Sequence, residues 1–132
     1  MSPELHISLS NLQSNIQFFQ RIIKKNTELS AVVKSDAYGL GIAKIVPEIE
    51  RYGVRSFFTA TISEAIKVRS YSRDSEIFTL NGFDFLKSNL YREHNITPII
   101  NNILEAQKFI EIFNQTQKVA IQLNTGMNRL GL

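Results

Sequence analysis

The segment around residue 34 carries the residue types of a covalent-catalysis site. An apolar run, Ala31-Val32-Val33, leads directly to Lys34, and a loop with two glycines follows. In parallel α/β folds the active site lies at the carboxyl ends of the strands. A lysine there, with its stem against an apolar interior, loses hydration, which favours the neutral amine that a Schiff base with an aldehyde cofactor requires. The same spacing also fits a lysine that is merely the first exposed residue after a strand.

The loop after Lys34 reads Ser-Asp-Ala-Tyr-Gly-Leu-Gly. Gly39 and Gly41 stand just before a helix-like pattern, where backbone amides can approach a phosphate. Turn geometry explains the same two glycines equally well. Tyr38 is either a hydroxyl that binds a phosphate or an ordinary loop aromatic, and both interpretations stay open on the spacing alone.

A second candidate segment runs from Leu123 to Gly131 and reads Leu-Asn-Thr-Gly-Met-Asn-Arg-Leu-Gly. It follows another predicted strand, so we expect its loop on the same face of the protein as Lys34. Arg129 presents a planar fork of donors, which suits a carboxylate or a phenolate oxygen. A surface arginine in a turn is the alternative interpretation.

Five short runs rich in β-branched and aromatic residues predict the strands that position these segments. They are Leu29–Lys34, Arg55–Ala60, Glu76–Leu80, Ile96–Ile100 and Lys118–Leu123. A helix-like apolar pattern fits into each gap between them. This alternation is typical of βαβ units and predicts a parallel sheet in an α/β fold, with both faces of the sheet covered.

The helix-like gaps carry their own boundary signals. Apolar residues recur at helical spacing from Ile42 to Tyr52, and Gly53 is the predicted residue just past that helix. Pro47 lies inside the pattern and predicts a kink or a later helix start. Asp84 is expected to cap a helix that runs through Arg92.

The N-terminal portion and one later gap add further elements. The residues ELHISL, from Glu4 to Leu9, are a possible strand. An amphipathic helix is predicted after them, with an apolar face formed by Leu12, Ile16, Phe19 and Ile23. Asn102 with Glu105 is a pair that resembles a capping box and opens another helix.

Composition excludes several classes of function. The chain has 132 residues, which is one domain at most, and no cysteine, which excludes disulfides, a cysteine-ligated zinc and a thiol nucleophile. The net charge of +3 comes from scattered basic residues, Arg69 and Arg73 among them, which is typical of a solvated surface rather than of nucleic-acid binding. His6 and His94 lack ligand spacing, so no metal site is predicted.

Length and hydropathy leave two architectures open. A closed (β/α)₈ barrel needs ~250 residues, so the pattern fits either a small doubly wound domain or about the first half of a barrel. No apolar run approaches the ~18 residues of a membrane span, and the first residues lack the apolar core of a signal peptide. We therefore expect a soluble cytoplasmic protein without membrane contact.

Together the two candidate segments resemble alanine racemase. AVVKSDAYGLG resembles that family's cofactor-lysine signature, and LNTGMNRLG resembles its second barrel signature, in the expected order. The resemblance implies the N-terminal portion of a (β/α)₈ TIM-type barrel, with about five parallel strands and intervening helices. Residues 1–132 would then be part of the barrel that binds pyridoxal 5′-phosphate (PLP), without the rest of the barrel and the C-terminal β domain.

The resemblance also implies a function and three site residues. It implies PLP-dependent interconversion of L-alanine and D-alanine, which supplies D-alanine for peptidoglycan, in a cytoplasmic homodimer. Lys34 would be the Schiff-base lysine and the base for D-alanine. Tyr38 would bind the cofactor phosphate, and Arg129 would contact the cofactor's phenolic oxygen and help to hold the substrate carboxylate.

Two features of the sequence bear on that expectation. Gln122 stands where many relatives carry a lysine, and Asn124 where an aspartate is common, so we expect Arg129 to be less firmly oriented. None of the four tyrosines lies in a segment that resembles the one carrying the family's second base. The isolated chain is therefore expected not to racemise alanine.

Two alternatives stay beside this reading. One is a PLP-binding carrier of the same barrel type, resembling the short PLP homeostasis proteins, whose motif lacks the AYGxG and TGMNRLG patterns found here. The other is an inert half-barrel that self-associates through the open edge of its last strand. A clean monomer with cooperative melting would count against the second.

Overall fold

Five parallel strands form the centre of the molecule. The computed structural model describes residues 3–114 and 116–132. The strands are β1 (Ala31–Val32), β2 (Ser56–Thr59), β3 (Glu76–Thr79), β4 (Thr97–Ile100) and β5 (Ala120–Ile121). They lie side by side in the order β1-β2-β3-β4-β5, and every neighbouring pair is parallel. All five predicted strands are confirmed, each within a shorter span than the sequence pattern covers.

Helical segments connect the strands. They are α1 (Leu9–Ile22), α2 (Lys34–Tyr38), α3 (Ile42–Arg51), α4 (Ile62–Arg69), a 3₁₀ helix (Phe85–Lys87), α5 (Ser88–Glu93) and α6 (Ile103–Phe113). Consecutive parallel strands joined through helices are the βα repeat of a barrel wall, so the predicted fold class is confirmed.

Short polar side chains fix where three of the helices begin. Ser8, Thr61 and Asn102 each accept a hydrogen bond from the backbone N–H three residues further on. Such caps satisfy one of the amides that a helix start leaves without an intrahelical partner. The predicted cap at Asn102 is confirmed, because its Oδ1 accepts from the Glu105 amide at 2.9 Å.

The hydrophobic core lies between the sheet and the helices. Phe57 of β2 is fully buried and stands in register with Ile77 of β3, which is also buried. Ile42 and Val46 of α3 and Ala65 of α4 belong to the same core cluster. Side chains alternate across a strand, so Phe57 and Ile77 place one face of the sheet against the helices.

The opposite face of the sheet carries apolar side chains that are less buried. Phe58 and Phe78 are in register there, and their rings stack with centroids 4.8 Å apart. Val32 stands in register with Phe58 and is 46% exposed. Within residues 3–114 and 116–132 the helices thus cover mainly one face, although all four residues of β4 are buried. This is the geometry of a barrel wall, whose inner face packs against other strands.

Several local predictions need correction. Residues 4–8 of the ELHISL run form no strand, and the run's last residue, Leu9, begins α1. α3 begins at Ile42 and runs through Pro47, so the later start is wrong, although Gly53 lies past its end at φ +85° as predicted. Of the predicted apolar face of α1, Ile16 is buried but Phe19 is 49% exposed.

The segment after β3 also differs from its prediction. Asp84 precedes a 3₁₀ helix and not a regular helix through Arg92, and its side chain makes no capping hydrogen bond. Its carboxylate instead pairs with Lys87 at 3.3 Å. Among the residues that the structure describes, no helix is both long and apolar enough to cross a membrane.

Candidate functional site

Lys34 lies at the carboxyl end of β1. The Val33 amide donates to the Phe58 carbonyl at 2.8 Å, so pairing with β2 continues one residue beyond β1, and Lys34 follows directly. Val33 is buried in the helix-covered core, whereas Val32 on the other face of the strand is 46% exposed. The sequence prediction of a lysine at the end of this strand is confirmed. Lys34 itself is half-buried.

The rest of α2, which follows Lys34, is a left-handed turn. Ser35, Asp36, Ala37 and Tyr38 all have φ between +53° and +56°. The Ala37 amide closes the turn on the Val33 carbonyl at 2.9 Å. For residues with a Cβ this conformation costs roughly 1–2 kcal/mol each, so the four together cost roughly 4–8 kcal/mol. Strain of this size persists only where the surroundings fix the backbone.

Asp36 is one of the groups that hold the turn. Its Oδ1 accepts from the Ile42 amide at 3.0 Å and from the Lys67 ammonium at 2.7 Å. The hydrogen bond from Lys67, followed by the bond from Ile42, holds the pKa of the Asp36 carboxyl below its ordinary value. Asp36 therefore connects the turn to the first residue of α3 and to α4.

The Lys34 amine has no ion pair with any residue that the structure describes. Lys67, Lys87, Lys108 and Lys118 each pair with a carboxylate. Within the described part of the chain, no hydrogen bond or salt bridge involves the Lys34 Nζ. Lys34 is half-buried, and without a carboxylate partner among the described residues its amine is available for an external ligand.

The two glycines are explained by the turn itself. Gly39 and Gly41 have φ of +83° and +90°, a region that favours glycine. Their amides donate to the carbonyls of Ser35 and Asp36, both at 2.9 Å. Because both amides have internal partners, the interpretation that they cradle a phosphate is wrong. Tyr38 ends the left-handed turn and is 63% exposed.

The segment that carries Arg129 closes into a second loop beside β5. Asn124 Oδ1 accepts from the amides of Gly126 at 3.2 Å and Asn128 at 2.9 Å. The Leu132 amide donates to the Gln122 carbonyl at 2.9 Å, and the Asn124 amide donates to the Leu132 carbonyl at the same distance. These bonds fix the backbone of the loop while the Arg129 side chain stays exposed.

Gln122 helps to hold the backbone of this loop. Its Nε2 donates to the Leu130 carbonyl at 3.2 Å, next to Arg129 in the chain. No hydrogen bond or salt bridge of the described residues orients the Arg129 guanidinium. That a neutral glutamine here leaves the arginine less firmly oriented stays a prediction.

The fold brings the candidate residues to the carboxyl-terminal end of the sheet without joining them. All five strands are parallel, so Lys34 after β1 and Arg129 after β5 both follow carboxyl ends. β1 and β5 are the outermost strands of the five, and no hydrogen bond links Lys34, Tyr38 and Arg129 within residues 3–114 and 116–132. This part of the chain thus presents an amine, a phenol and a guanidinium at the carboxyl-terminal end of the sheet.

Comparison with known proteins identifies this arrangement. A model of the family described as alanine racemase, N-terminal domain, matches residues 7–132. The chain belongs to this family. The alanine racemase of Methylobacterium nodulans is 37% identical over 108 residues, which cover 80% of this chain and 29% of that protein. The alanine racemase of Cereibacter sphaeroides is 34% identical over 129 residues, which cover 97% of this chain and 37% of that protein.

A solved alanine racemase structure has the same fold. The alanine racemase of Bartonella henselae superposes with a TM-score of 0.87 at 32% identity, covering 96% of this chain and 38% of that one. That crystal structure contains covalently bound pyridoxal phosphate. The chain spans 29% and 37% of the two curated alanine racemases, so the match is to the N-terminal part of the racemase barrel.

Proposed function

We propose that this chain forms the cofactor-lysine portion of an alanine racemase, a PLP enzyme that interconverts L-alanine and D-alanine. The observation that carries the proposal is the position of Lys34, a half-buried residue directly after β1 whose amine has no ion-pair partner among the residues that the structure describes. Family membership supports the same assignment. Residues 1–132 would then be the N-terminal part of the racemase barrel.

The three candidate residues at the carboxyl-terminal end of the sheet fit PLP chemically. A primary amine such as that of Lys34 is the group that attaches covalently to an aldehyde. The Tyr38 hydroxyl suits a phosphate oxygen, and the Arg129 guanidinium suits the phenolic oxygen of the cofactor and the carboxylate of the substrate. When bound, PLP supplies an electron sink for the pair left behind when the Cα–H bond breaks.

Lys34 would move the proton on one face of the substrate. In its neutral form the amine takes the Cα proton of D-alanine and returns a proton to the same face in the reverse direction. The inner sheet face carries an aromatic pair, Phe58 and Phe78, whose rings are stacked on each other.

Racemisation also needs a proton donor on the opposite face, and we propose that this chain alone does not provide it. Tyr91 is buried, and its hydroxyl accepts from the Asp84 amide at 3.1 Å. The Tyr52 hydroxyl is bonded to Glu48 at 3.2 Å. The second base would come from another part of the racemase. Family membership also supports the proposal that the racemase is a cytoplasmic homodimer and supplies D-alanine for peptidoglycan.

The test is covalent trapping of PLP. The protein is mixed with PLP and reduced with borohydride, and the modified lysine is located by peptide mass spectrometry. We expect modification of Lys34 in preference to Lys44, an exposed lysine of the neighbouring helix α3 that serves as the control. Lys34→Arg is expected to abolish the selective adduct, and Lys44→Arg to leave it unchanged. Equal labelling of all lysines, or racemase turnover by the 132-residue chain alone, would contradict the respective part of the proposal.

A further inference from the structure

Two polar side chains of α4 contact the left-handed turn after Lys34. The Glu64 carboxylate accepts from the Ser35 amide at 2.8 Å through Oε1 and from the Ala60 amide at 2.7 Å through Oε2. Lys67 donates to Asp36 Oδ1 at 2.7 Å. Glu64 and Lys67 are three residues apart on a helix, so they lie on one face of it. That face of α4 is directed at the turn.

The bonds of Glu64 join two strands beyond the end of their ladder. The last backbone bond between them runs from the Val33 amide to the Phe58 carbonyl. Ser35 and Ala60 come two residues after those positions. The carboxylate therefore continues the pairing with charge-assisted bonds, which are stronger than bonds between neutral groups.

The hydrogen bond at the Ser35 amide holds the backbone next to Lys34 in place. Ser35 follows Lys34 directly and is the first residue of the left-handed turn, at φ +53°. A residue with a Cβ leaves this region when nothing holds it, because right-handed and extended conformations are lower in energy. Such a change at Ser35 would reorient the peptide unit that carries Lys34.

A second helix of the chain shows what ordinary capping requires. Asn102 caps α6, and Glu105 accepts from the Asn101 amide at 2.9 Å, just as Glu64 accepts from Ala60 ahead of the Thr61 cap. The other oxygen of Glu105 binds its own cap residue, Asn102 Nδ2, at 2.8 Å. The other oxygen of Glu64 instead reaches Ser35, 29 residues away in the chain. Capping thus explains one bond of Glu64 and leaves the bond to Ser35 unexplained.

We propose that Glu64 is a positioning residue, which with Lys67 clamps the left-handed turn and so fixes the direction in which Lys34 meets its cofactor. The proposal rests on the proposed role of Lys34. Glu64 would touch neither substrate nor cofactor and would act through the backbone of Ser35. The Lys67–Asp36 pair forms the second, more exposed half of the clamp.

The experiment compares Glu64→Gln with Glu105→Gln as the matched capping control. Each variant replaces a carboxylate that binds the amide before a helix cap. The rate of PLP incorporation at Lys34 under borohydride is measured by peptide mass spectrometry, and the Ser35 amide is followed by hydrogen exchange. We expect Glu64→Gln to slow incorporation about tenfold, the effect of losing one good hydrogen bond, and to speed exchange at Ser35. Glu105→Gln should leave both readouts unchanged at a similar loss of melting temperature.

The outcomes separate the clamp from the proposed function. If the parent chain shows no preference for Lys34, the proposed function fails. If the parent is selective but Glu64→Gln incorporates PLP at the parent's rate, or Glu105→Gln slows it equally, the clamp is refuted while the proposed function stands. Should Glu64→Gln not fold, Lys67→Met tests the clamp at its exposed half, where an about threefold slower incorporation is expected and an unchanged rate overturns the proposal.

Discussion

Replacing Arg69 is expected to destabilise the fold more than replacing any of the exposed basic residues. Its guanidinium binds the residues just after α5 and the connection between α4 and β3, since every nitrogen donates to backbone carbonyls. The acceptors are His94 at 2.9 Å, Asn95 at 2.8 Å, Ser72 at 2.9 Å, Arg73 at 2.8 Å and Ser75 at 3.0 Å. Burial lowers the pKa of the Arg69 guanidinium from its ordinary value, but an arginine stays charged.

The magnitude follows from how many of these acceptors water could reach after the change. Ser72 and Ser75 are 1% and 2% exposed, so their carbonyls would lose their donor without gaining a hydrogen bond to water. Arg73 and Asn95 are exposed, and their carbonyls would be rehydrated. With about 1.5–2 kcal/mol for each buried acceptor that loses a charged donor, Arg69→Met should cost about 3–4 kcal/mol of unfolding free energy.

The assay is urea unfolding followed by circular dichroism, with the slope against urea compared between variants. Arg73→Met is the control, because Arg73 is exposed and its change should stay within about 0.5 kcal/mol of the parent. Arg69→Lys keeps the charge but loses the planar fork, so it should recover less than half of the loss. A cost below about 1 kcal/mol for Arg69→Met, or an equal cost for Arg73→Met, would refute the reasoning.

Two further predictions concern the site loops. The bond between Lys67 and Asp36 lowers the pKa of Asp36 from 3.8 and raises that of Lys67 from 10.5. Its contribution to stability is therefore lost as the pH falls through the lowered pKa of Asp36, and again as the pH rises through the raised pKa of Lys67. The stability difference between the parent and Lys67→Met in urea unfolding should be constant at intermediate pH and shrink at both ends, and a difference independent of pH would contradict the assignment. Gly131→Ala should loosen the Arg129 loop and speed hydrogen exchange at the Leu132 amide about tenfold or more, because its Cβ would lie 2.8 Å from the Asn124 backbone nitrogen at φ +111°. Gly126→Ala is its control, since nothing lies within 4 Å of that Cβ, and equal exchange in both variants would show that the contact at Gly131 does not matter.

The sequence determined those features that depend on neighbours along the chain. Runs of β-branched and aromatic residues bounded by turn residues predicted all five strands, because a strand needs only that local pattern and a core to face. Lys34 could be placed at the end of β1 for the same reason. The cap at Asn102 was predictable because both of its partners lie within one turn of helix.

Tertiary structure alone decided the features whose partners are remote in sequence. The turn from Ser35 to Tyr38 has no glycine and carries no sign of left-handed backbone; it is held by Glu64 and Lys67, 29 and 31 residues from their partners. Arg69 belonged to the basic residues interpreted as a solvated surface, which is wrong, because two of its acceptors, the carbonyls of His94 and Asn95, lie 25 and 26 residues away in the chain. A residue type states which hydrogen bonds a side chain can make, but only the fold decides whether water or a distant backbone group makes them.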